Sequence, residues 1–198
     1  MLTYTVDTDQ YDNTIIYIET DKGSGSGVIL TQDGCALTCA HVVSGAEEIY
    51  VRYQKSPEEF DVVKAELIVS DRVKDMAVLK LEGSCYDYAY VDDSEQLPRP
   101  GRDIVILGFP FGSRMNDDVM ELGISFTKGY VSSNQTISGQ KRTLLDISAK
   151  AGNSGSPVID YRTGKVIGIL SGSYTGGARN AEEINYMIPI QYVFEFFA

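Results

Sequence analysis

Three residues of this sequence carry side chains that together could catalyse acyl transfer: a histidine, an aspartate and a serine. His41, the only histidine in the chain, follows the apolar stretch CALTCA (35–40). Asp75 opens the apolar stretch DMAVLKLE, and Ser154 lies between small residues in AGNSGSPVID. A serine hydroxyl becomes a nucleophile when a histidine accepts its proton and a carboxylate orients that histidine. The chain order His, Asp, Ser therefore predicts a catalytic triad.

Each of these residues also has an ordinary structural interpretation. A single histidine is often a hydrogen-bonded or exposed side chain without a catalytic role, and an aspartate before a strand often closes a turn. Asp71 is the alternative carboxylate, but Asp75 is preferred because it directly precedes the apolar strand. Glycines around Ser154 permit positive φ, and we predict that the N–H groups of Gly152 and Ser154 hold an oxyanion.

The overall composition narrows the class of protein. The 198 residues are 43% hydrophobic and 23% charged, which is typical of a globular chain. The net charge of −11 disfavours binding to nucleic acid or to anionic membranes. No apolar run approaches the roughly 20 residues that span a bilayer. We therefore expect no nucleic-acid partner and no membrane insertion.

The three cysteines predict neither a disulfide framework nor a metal site. Cys35 and Cys39 lie on one predicted strand, about 13 Å apart, which exceeds the roughly 7 Å that a disulfide permits. Without a CxxC pair or a histidine cluster, we predict no metal and no cofactor. Free thiols are typical of reducing compartments, and the first residues show no signal-peptide pattern. We therefore expect a cytoplasmic protein, or a secreted or periplasmic one if a leader precedes the printed sequence.

The apolar pattern predicts an all-β protein. Short blocks rich in Val, Ile and Tyr are separated by Gly, Asp and Asn, as in strands joined by turns. A polar segment with two prolines, 91–101, divides the chain into halves of about six strands each. This pattern fits two antiparallel barrels or a sandwich. Helical spacing after Pro189 predicts a short terminal helix. The predicted strands are 14–19, 27–31, 35–40, 48–54, 60–71, 75–82, 102–109, 129–133, 142–148, 156–160, 165–173 and 184–190.

Several motifs, in one order, make the sequence similar to the HtrA/Deg branch of trypsin-fold serine proteases. They are GSGSGVILTQDGCALTCAHVV (23–43), DMAVLKLE (75–82), GFPFG (108–112), GYVSS (129–133), DISAKAGNSGSPVID (146–160) and KVIGI (165–169). The segment GNSGSPV also resembles the glutamyl endopeptidases. The resemblance implies two six-stranded barrels with the site in the cleft between them, formed by 1–95 and by 96–198 plus the terminal helix. It implies His41 as general base, Asp75 as its orienting carboxylate and Ser154 as nucleophile.

The chain departs from the family pattern at four places. Asn153 replaces the aspartate that pairs with a newly cut N-terminus in digestive enzymes, so activation by such a cut is not expected. The segment 113–128 is longer than the family's connection and is predicted to be a lid or activation loop. Cys39 takes a position where small polar residues are usual. No protein-binding domain follows within the printed sequence, which leaves the regulated oligomer of the branch open.

The resemblance also implies a substrate pocket. Ser148, six residues before the nucleophile, is expected at its base, and Ala149 is expected to contact the substrate. Because Ser148 carries no negative charge, basic substrate side chains are disfavoured. Leu170 stands where glutamyl endopeptidases have a histidine. The strand edge Ser171, Gly172 and Ser173 is expected to pair with an extended substrate. Charges could still approach from Glu182, Glu183, Lys150 or Arg179.

These expectations together predict a serine endopeptidase that acts through an acyl-enzyme on an extended protein or peptide. The preferred residue before the scissile bond is small or medium and uncharged. Two alternatives stay open. The chain could be the protease module of a defence or signalling assembly that cuts one dedicated partner, or a peptide-binding module without catalysis on the same fold. A larger assembly or a homo-oligomer is also left open.

Overall fold

The computed structural model describes residues 8–56, 59–110, 123–175 and 183–196. Twelve strands and two four-residue helices follow a 3-10 turn at Thr8–Tyr11. The first six strands are β1 (Ile15–Thr20), β2 (Ser24–Ile29), β3 (Cys35–Thr38), β4 (Ile49–Ser56), β5 (Glu59–Asp71) and β6 (Met76–Leu81). The second six are β7 (Asp103–Gly108), β8 (Ser125–Ile137), β9 (Gln140–Asp146), β10 (Pro157–Asp160), β11 (Val166–Thr175) and β12 (Glu183–Pro189). The helices are α1 (Ala40–Val43) and α2 (Gln191–Phe194).

The strands form two closed antiparallel barrels of six strands each. The first barrel has the order β1-β2-β3-β6-β5-β4, and pairing of β1 with β4 closes it. The second has the order β10-β11-β12-β9-β8-β7, and pairing of β10 with β7 closes it. The predicted fold class is confirmed, and closure decides between the barrel and sandwich alternatives. The short helix predicted after Pro189 is α2.

The two barrels share one hydrophobic core. Its buried side chains come from all six strands of the first barrel and from β7, β10, β11 and β12 of the second. Tyr17 of the first barrel and Phe109 of the second meet edge to face, with ring centroids 5.8 Å apart. A smaller core lies inside the second barrel. Because apolar burial is the main driving force of folding, this shared core holds the two halves of the cleft together.

Two segments differ from the sequence-based expectation. The glycines of GSGSG (23–27) predict a loop or hairpin, yet β2 begins at Ser24. Packing explains these glycines, because a Cβ at Gly25 would lie 2.7 Å from Val42 Cγ2 and one at Gly27 would lie 2.8 Å from the Leu37 carbonyl oxygen. In the predicted lid 113–128, residues 113–122 lie outside the described part of the chain, and 125–128 belong to β8.

The connection between the barrels runs from residue 82 to residue 102 and touches the second barrel on its way. Val91 forms an isolated parallel bridge with Val166. The predicted boundary at 95/96 falls within this connection and stays a prediction. None of the helices in the described ranges is long and apolar enough to cross a membrane.

Candidate active site

His41 is presented by α1, directly after β3 of the first barrel. Its ring nitrogen Nδ1 lies 2.8 Å from Asp75 Oδ2 and 3.1 Å from Asp75 Oδ1. The backbone N–H of His41 donates to the same carboxylate, with 3.0 Å between N and Oδ1. The imidazole is half exposed. One carboxylate thus holds both the ring and the backbone of His41, which leaves Nε2 available to another group.

Asp75 is the last residue of a four-residue turn, 72–75, between β5 and β6. Its φ of +63° lies in the left-handed region, which an aspartate tolerates better than most residues do. Ser171 Oγ donates to Asp75 Oδ2 at 2.6 Å. Burial alone would raise the pKa of Asp75, but hydrogen bonds from His41 and Ser171 outweigh it and hold this pKa below its usual value. The carboxylate therefore stays ionised beside the imidazole.

Asp71, the alternative carboxylate, is the last residue of β5, directly before the turn 72–75. Its Oδ1 accepts the backbone N–H groups of Val73 at 2.8 Å and Lys74 at 2.9 Å. These bonds are the side-chain-to-backbone pattern of an Asx turn. Asp71 therefore closes the turn that presents Asp75, and it is Asp75 that contacts His41.

Ser154 lies in the segment that leads into β10, and a serine of the first barrel anchors this segment. The Ser26 N–H donates to the carbonyl of Ser154 at 2.8 Å, and Ser26 Oγ donates to the carbonyl of Gly152 at 2.8 Å. Gly155 has a φ of +86°, and a Cβ there would lie 2.0 Å from the Ser26 carbonyl oxygen. Only glycine fits at 155 because both the backbone angle and the space exclude a side chain.

The hydroxyl of Ser154 donates to the carbonyl of Ser171 at 3.2 Å. Ser171 thereby links the two halves of the site, since its own hydroxyl binds Asp75. Within the described ranges no hydrogen bond joins Ser154 to the His41 ring. The N–H groups of Gly152 and Ser154 likewise donate to no described residue. Ser171 thus connects Ser154 to Asp75, and Asp75 in turn bonds His41.

Cys39 is buried beneath this cluster. The donor atoms of Cys39, His41 and Asp75 lie within 4.8 Å of one another, the spacing of a metal-binding group. The Cys39 thiol donates to the Leu170 carbonyl at 3.2 Å, whereas His41 and Asp75 bond each other. Burial, reinforced by the charge of Asp75, raises the pKa of Cys39 well above its ordinary value. A protonated thiol is a poor nucleophile, so Cys39 is not suited to replace Ser154 in that role.

A cavity of 230 Å³ opens beside Ser154. Three of the predicted pocket residues line it: Ala149, Leu170 and Gly172. Ser148 is exposed and does not line the cavity. Ser171 lies beside it, and only the backbone of Ser173 is described. Glu182 and Arg179 fall outside the described ranges, as does the Glu183 side chain. The cavity is lined by Ala149, Lys150, Ala151, Ser154, Leu170, Gly172 and Asn185.

Sequence reasoning missed two residues of this site. Ser26 lies in GSGSG, whose glycines predict a loop or hairpin, and the family motif that contains it is the one signal in the sequence that could have found it. Asn185 lines the cavity from β12, with its Nδ2 donating to the Ile147 carbonyl at 2.7 Å. No local pattern signals Asn185, because its place in the wall depends on pairing of β12 with β11 and β9.

Two six-stranded barrels, with His41 and Asp75 on the first and Ser154 on the second, define a protein of the trypsin fold with the residues of a serine protease. The chain belongs to the family described as "Trypsin-like peptidase domain", whose model matches residues 25–169. The predicted membership of the trypsin-fold serine proteases, in the HtrA/Deg branch, is confirmed. The likeness to glutamyl endopeptidases remains a resemblance of one motif.

Relatives and solved structures agree with this assignment. A "Probable periplasmic serine endoprotease DegP-like" of Hahella chejuensis is 36% identical over 171 residues, which is 85% of this chain and 34% of that protein. A protein of the same name from Pseudomonas putida is 36% identical, over 84% of this chain and 32% of that protein. The serine endoprotease of Yersinia pestis superposes with a TM-score of 0.78 at 25% identity, over 96% of this chain and 63% of that one. The chain thus spans about a third of the length of these curated relatives.

The expected cytoplasmic location is wrong. The relatives from Hahella, Pseudomonas and Halomonas are named as periplasmic enzymes. The expectation rested on the first printed residues and on free cysteines. The first printed residues are no evidence about location, because the chain matches only about a third of each relative's length. Cys35, Cys39 and Cys85 are all unpaired, but unpaired thiols alone do not identify a compartment.

Replacing Ser26 with alanine should destabilise the protein by about 1–3 kcal/mol. Ser26 Oγ accepts the Phe109 N–H at 3.0 Å and donates to Gly152, so its loss leaves two backbone groups without a partner. Urea unfolding measures the effect. Ser24→Ala is the matched control, since Ser24 is exposed on the same strand and should change stability by less than about 0.5 kcal/mol. Equal, small effects of both changes would contradict this role of Ser26.

The stabilisation by Asp75 should depend on pH. The folded-state pKa of this carboxyl lies below its unfolded value of about 3.9, so its contribution is complete above that pH and is lost as pH falls through the folded pKa. Asp75→Asn should cost about 1–3 kcal/mol of unfolding free energy at pH 7 and less at pH 3. Urea unfolding at both pH values tests this, with Asp87→Asn as an exposed control. A cost that is the same at pH 7 and pH 3 would contradict the expectation.

Proposed function

We propose that this chain is a serine endopeptidase in which His41 is the general base, Asp75 its orienting residue and Ser154 the nucleophile. The observation that carries the proposal is the doubly hydrogen-bonded Asp75 carboxylate, which fixes Nδ1 of His41 as the donor. In this tautomer Nε2 is the basic nitrogen, as a base that accepts a serine proton requires. The relatives' names support the same reaction.

The reaction needs one side-chain adjustment. The Ser154 hydroxyl donates to the Ser171 carbonyl, and rotation about its Cα–Cβ bond would turn it toward Nε2 of His41. Catalytic hydrogen bonds are often long or misaligned without substrate and tighten in the complex. The bond from Ser171 Oγ to Asp75 keeps the carboxylate in place while the serine hydroxyl turns.

In the first half of the reaction, Ser154 Oγ bonds to the carbonyl carbon of the scissile peptide while His41 Nε2 takes the hydroxyl proton. The carbonyl oxygen becomes an oxyanion, held by the N–H groups of Gly152 and Ser154. Each such donor typically lowers the barrier by about 3–4 kcal/mol. His41 then gives its proton to the leaving amine as the C–N bond breaks. A water molecule, deprotonated by His41, hydrolyses the resulting acyl ester.

The unpaired edge of β11 supports binding of an extended substrate. Pairing of β11 with β10 ends at Ile169, whereas pairing with β12 continues to Thr175. Beyond Ser171, no described strand pairs with the edge of β11 on the Ser154 side. Ser171, Gly172 and Ser173 can therefore hydrogen-bond an added strand, the mode known as β-augmentation.

The cavity beside Ser154 favours a small or medium uncharged residue before the scissile bond. Its volume of 230 Å³ lies below the roughly 300–1,000 Å³ of small-molecule sites. Alanine, leucine and glycine form much of its wall. None of the described lining residues is acidic, so a basic substrate side chain would be buried without a partner, which costs several kcal/mol. Lys150 is the one described charge on the wall, and it is exposed.

The experiments below also distinguish two alternative functions. A peptide-binding module without catalysis would use the same β11 edge but would not react at Ser154. A protease module of a larger defence or signalling assembly would react but cut one dedicated partner. The whole protein's substrates and partners, including a homo-oligomer, remain proposals.

Ser154→Ala should abolish reaction with a fluorophosphonate probe and lower peptide cleavage by about 10⁶-fold while preserving the fold. Labelling at pH 8 followed by peptide mapping should mark Ser154 alone. Ser94→Ala removes an exposed serine elsewhere and should label like the original protein. A folded protein that neither reacts with the probe nor cuts any peptide would support the binding module and defeat the enzyme proposal.

A peptide library should show the charge preference of the cavity. We expect kcat/KM for Ala, Val or Thr before the scissile bond to exceed that for Arg, Lys or Glu by at least about 100-fold, because burying an unpaired charge costs several kcal/mol. Lys150→Met is the diagnostic variant. A preference for Glu that this change removes would show that Lys150 recruits acidic side chains, contrary to the proposal. Cleavage of one sequence only would support the dedicated-partner alternative.

A further inference from the structure

The turn 72–75, which presents Asp75, is held by hydrogen bonds from both barrels. Inside the first barrel, Asp71 accepts two N–H groups of the turn. The carbonyl groups of Val73 and Lys74 point the other way, and both accept hydrogen bonds from Arg142 of the second barrel. Asp75 follows directly, in the left-handed region. Its orientation therefore depends on how these two carbonyls are held, in addition to its own bonds with His41 and Ser171.

Arg142 is well placed to hold them. It lies on β9 and is only 8% exposed. Its Nη2 lies 3.2 Å from the Val73 carbonyl oxygen and 3.1 Å from that of Lys74, while Nη1 donates to its own neighbour Lys141 at 3.2 Å. The guanidinium also lies over the Tyr186 ring, 5.8 Å from its centroid.

This burial of a charged group is unusual. Within the described ranges Arg142 forms no ion pair, and the groups in direct contact with its guanidinium are carbonyl oxygens and an aromatic face. Buried arginines normally pair with an acid because desolvating a charge is costly. A buried arginine without an acidic partner therefore indicates a specific role. Its rigid, planar guanidinium presents donors at fixed angles, and one of its nitrogens, Nη2, bonds both neighbouring carbonyls.

We propose that Arg142 is a positioning residue, which sets the Asp75 carboxylate against His41 by clamping the carbonyls of Val73 and Lys74 from the second barrel. The inference rests on the proposed function. A second contact reaches the same turn, an ion pair of Lys74 with Glu195. Glu195 is exposed, and exposed ion pairs contribute little, so the buried Arg142 is the stronger restraint.

The chain's single histidine makes the consequence directly measurable. With ¹⁵N-labelled histidine, the ring signals come from His41 alone. The Nδ1 proton, held between His41 and Asp75, should give a resonance far downfield in the unmodified protein. Arg142→Met should broaden or abolish this resonance, because a loosened turn lets the carboxylate move and the proton exchange with water.

The same variant should react more slowly with a fluorophosphonate probe. A displacement of catalytic groups by about 1 Å can cost up to 100-fold in rate, so we expect the maximal labelling rate to fall about 10- to 100-fold. The concentration for half-maximal labelling should stay unchanged, because Arg142 does not line the cavity. A folded Arg142→Met protein with the original rate and the original resonance would overturn the proposal.

Controls separate this role from stability. Arg52→Met removes a half-buried arginine of the first barrel, whose Nη2 lies 3.3 Å from Glu19, and should leave rate and resonance unchanged. If Arg142→Met does not fold, Arg142→Gln carries the test, since glutamine is polar but lacks the guanidinium fork. A folded Gln variant with the original rate and resonance would overturn the proposal equally.

A double-mutant cycle tests whether Arg142 acts through Asp75. In an Asp75→Asn background, Arg142→Met should slow labelling little further, because coupled residues are not additive. If the double variant is slowed by the full product of the two single-variant factors, the proposal is overturned. If the unmodified protein does not label at all, the proposed function fails, yet the His41 resonance still reports whether Arg142 orders the His41–Asp75 pair. The two failures are thus distinguishable.

Discussion

Ser26 joins the two barrels at the point on which the site depends. Its N–H and hydroxyl bind the carbonyls of Ser154 and Gly152, so one residue of β2 holds the segment of Ser154 from across the cleft. His41 and Asp75 belong to the first barrel and Ser154 to the second. Catalytic groups must be placed to within a fraction of an ångström. A divided site can meet that requirement only if contacts between the barrels are as rigid as contacts within them.

Support for the site runs in both directions across the cleft. Ser26 reaches from the first barrel to the segment around Ser154. Ser171 and Arg142 reach from the second barrel to Asp75 and to the turn that carries it. Each of these three residues is buried. Buried hydrogen bonds of this kind are costly to break, because breaking one leaves a polar group without water to replace its partner.

The charges around the site follow from these same contacts. Asp75 stays ionised because His41 and Ser171 donate to it, whereas Cys39 stays neutral because it is buried beside that carboxylate. The cavity next to Ser154 contains no described acid, although the chain has 28 acidic residues. The negative charge of the protein is therefore spread over other surfaces and does not by itself define what the cleft binds.

Much of this molecule follows from local sequence. Alternating apolar blocks bounded by Gly, Asp and Asn predict twelve strands, because the side-chain period of a strand is visible in a few residues. The order of His41, Asp75 and Ser154, with the motifs around them, identifies the family. The choice of Asp75 over Asp71 also came from the sequence, since only Asp75 directly precedes a buried strand.

Only the tertiary structure decided how these pieces meet. Closure of each sheet into a barrel, the strand that begins inside GSGSG, and the roles of Ser26, Arg142 and Asn185 depend on residues far apart in the chain. Ser148 lies outside the cavity wall and Asn185 lies in it, because strand pairing, and not distance from Ser154 along the chain, sets which side chains line the wall. The alternation of apolar and polar residues shows which face of a strand is buried. It does not show which strand, far away in the sequence, packs against that face.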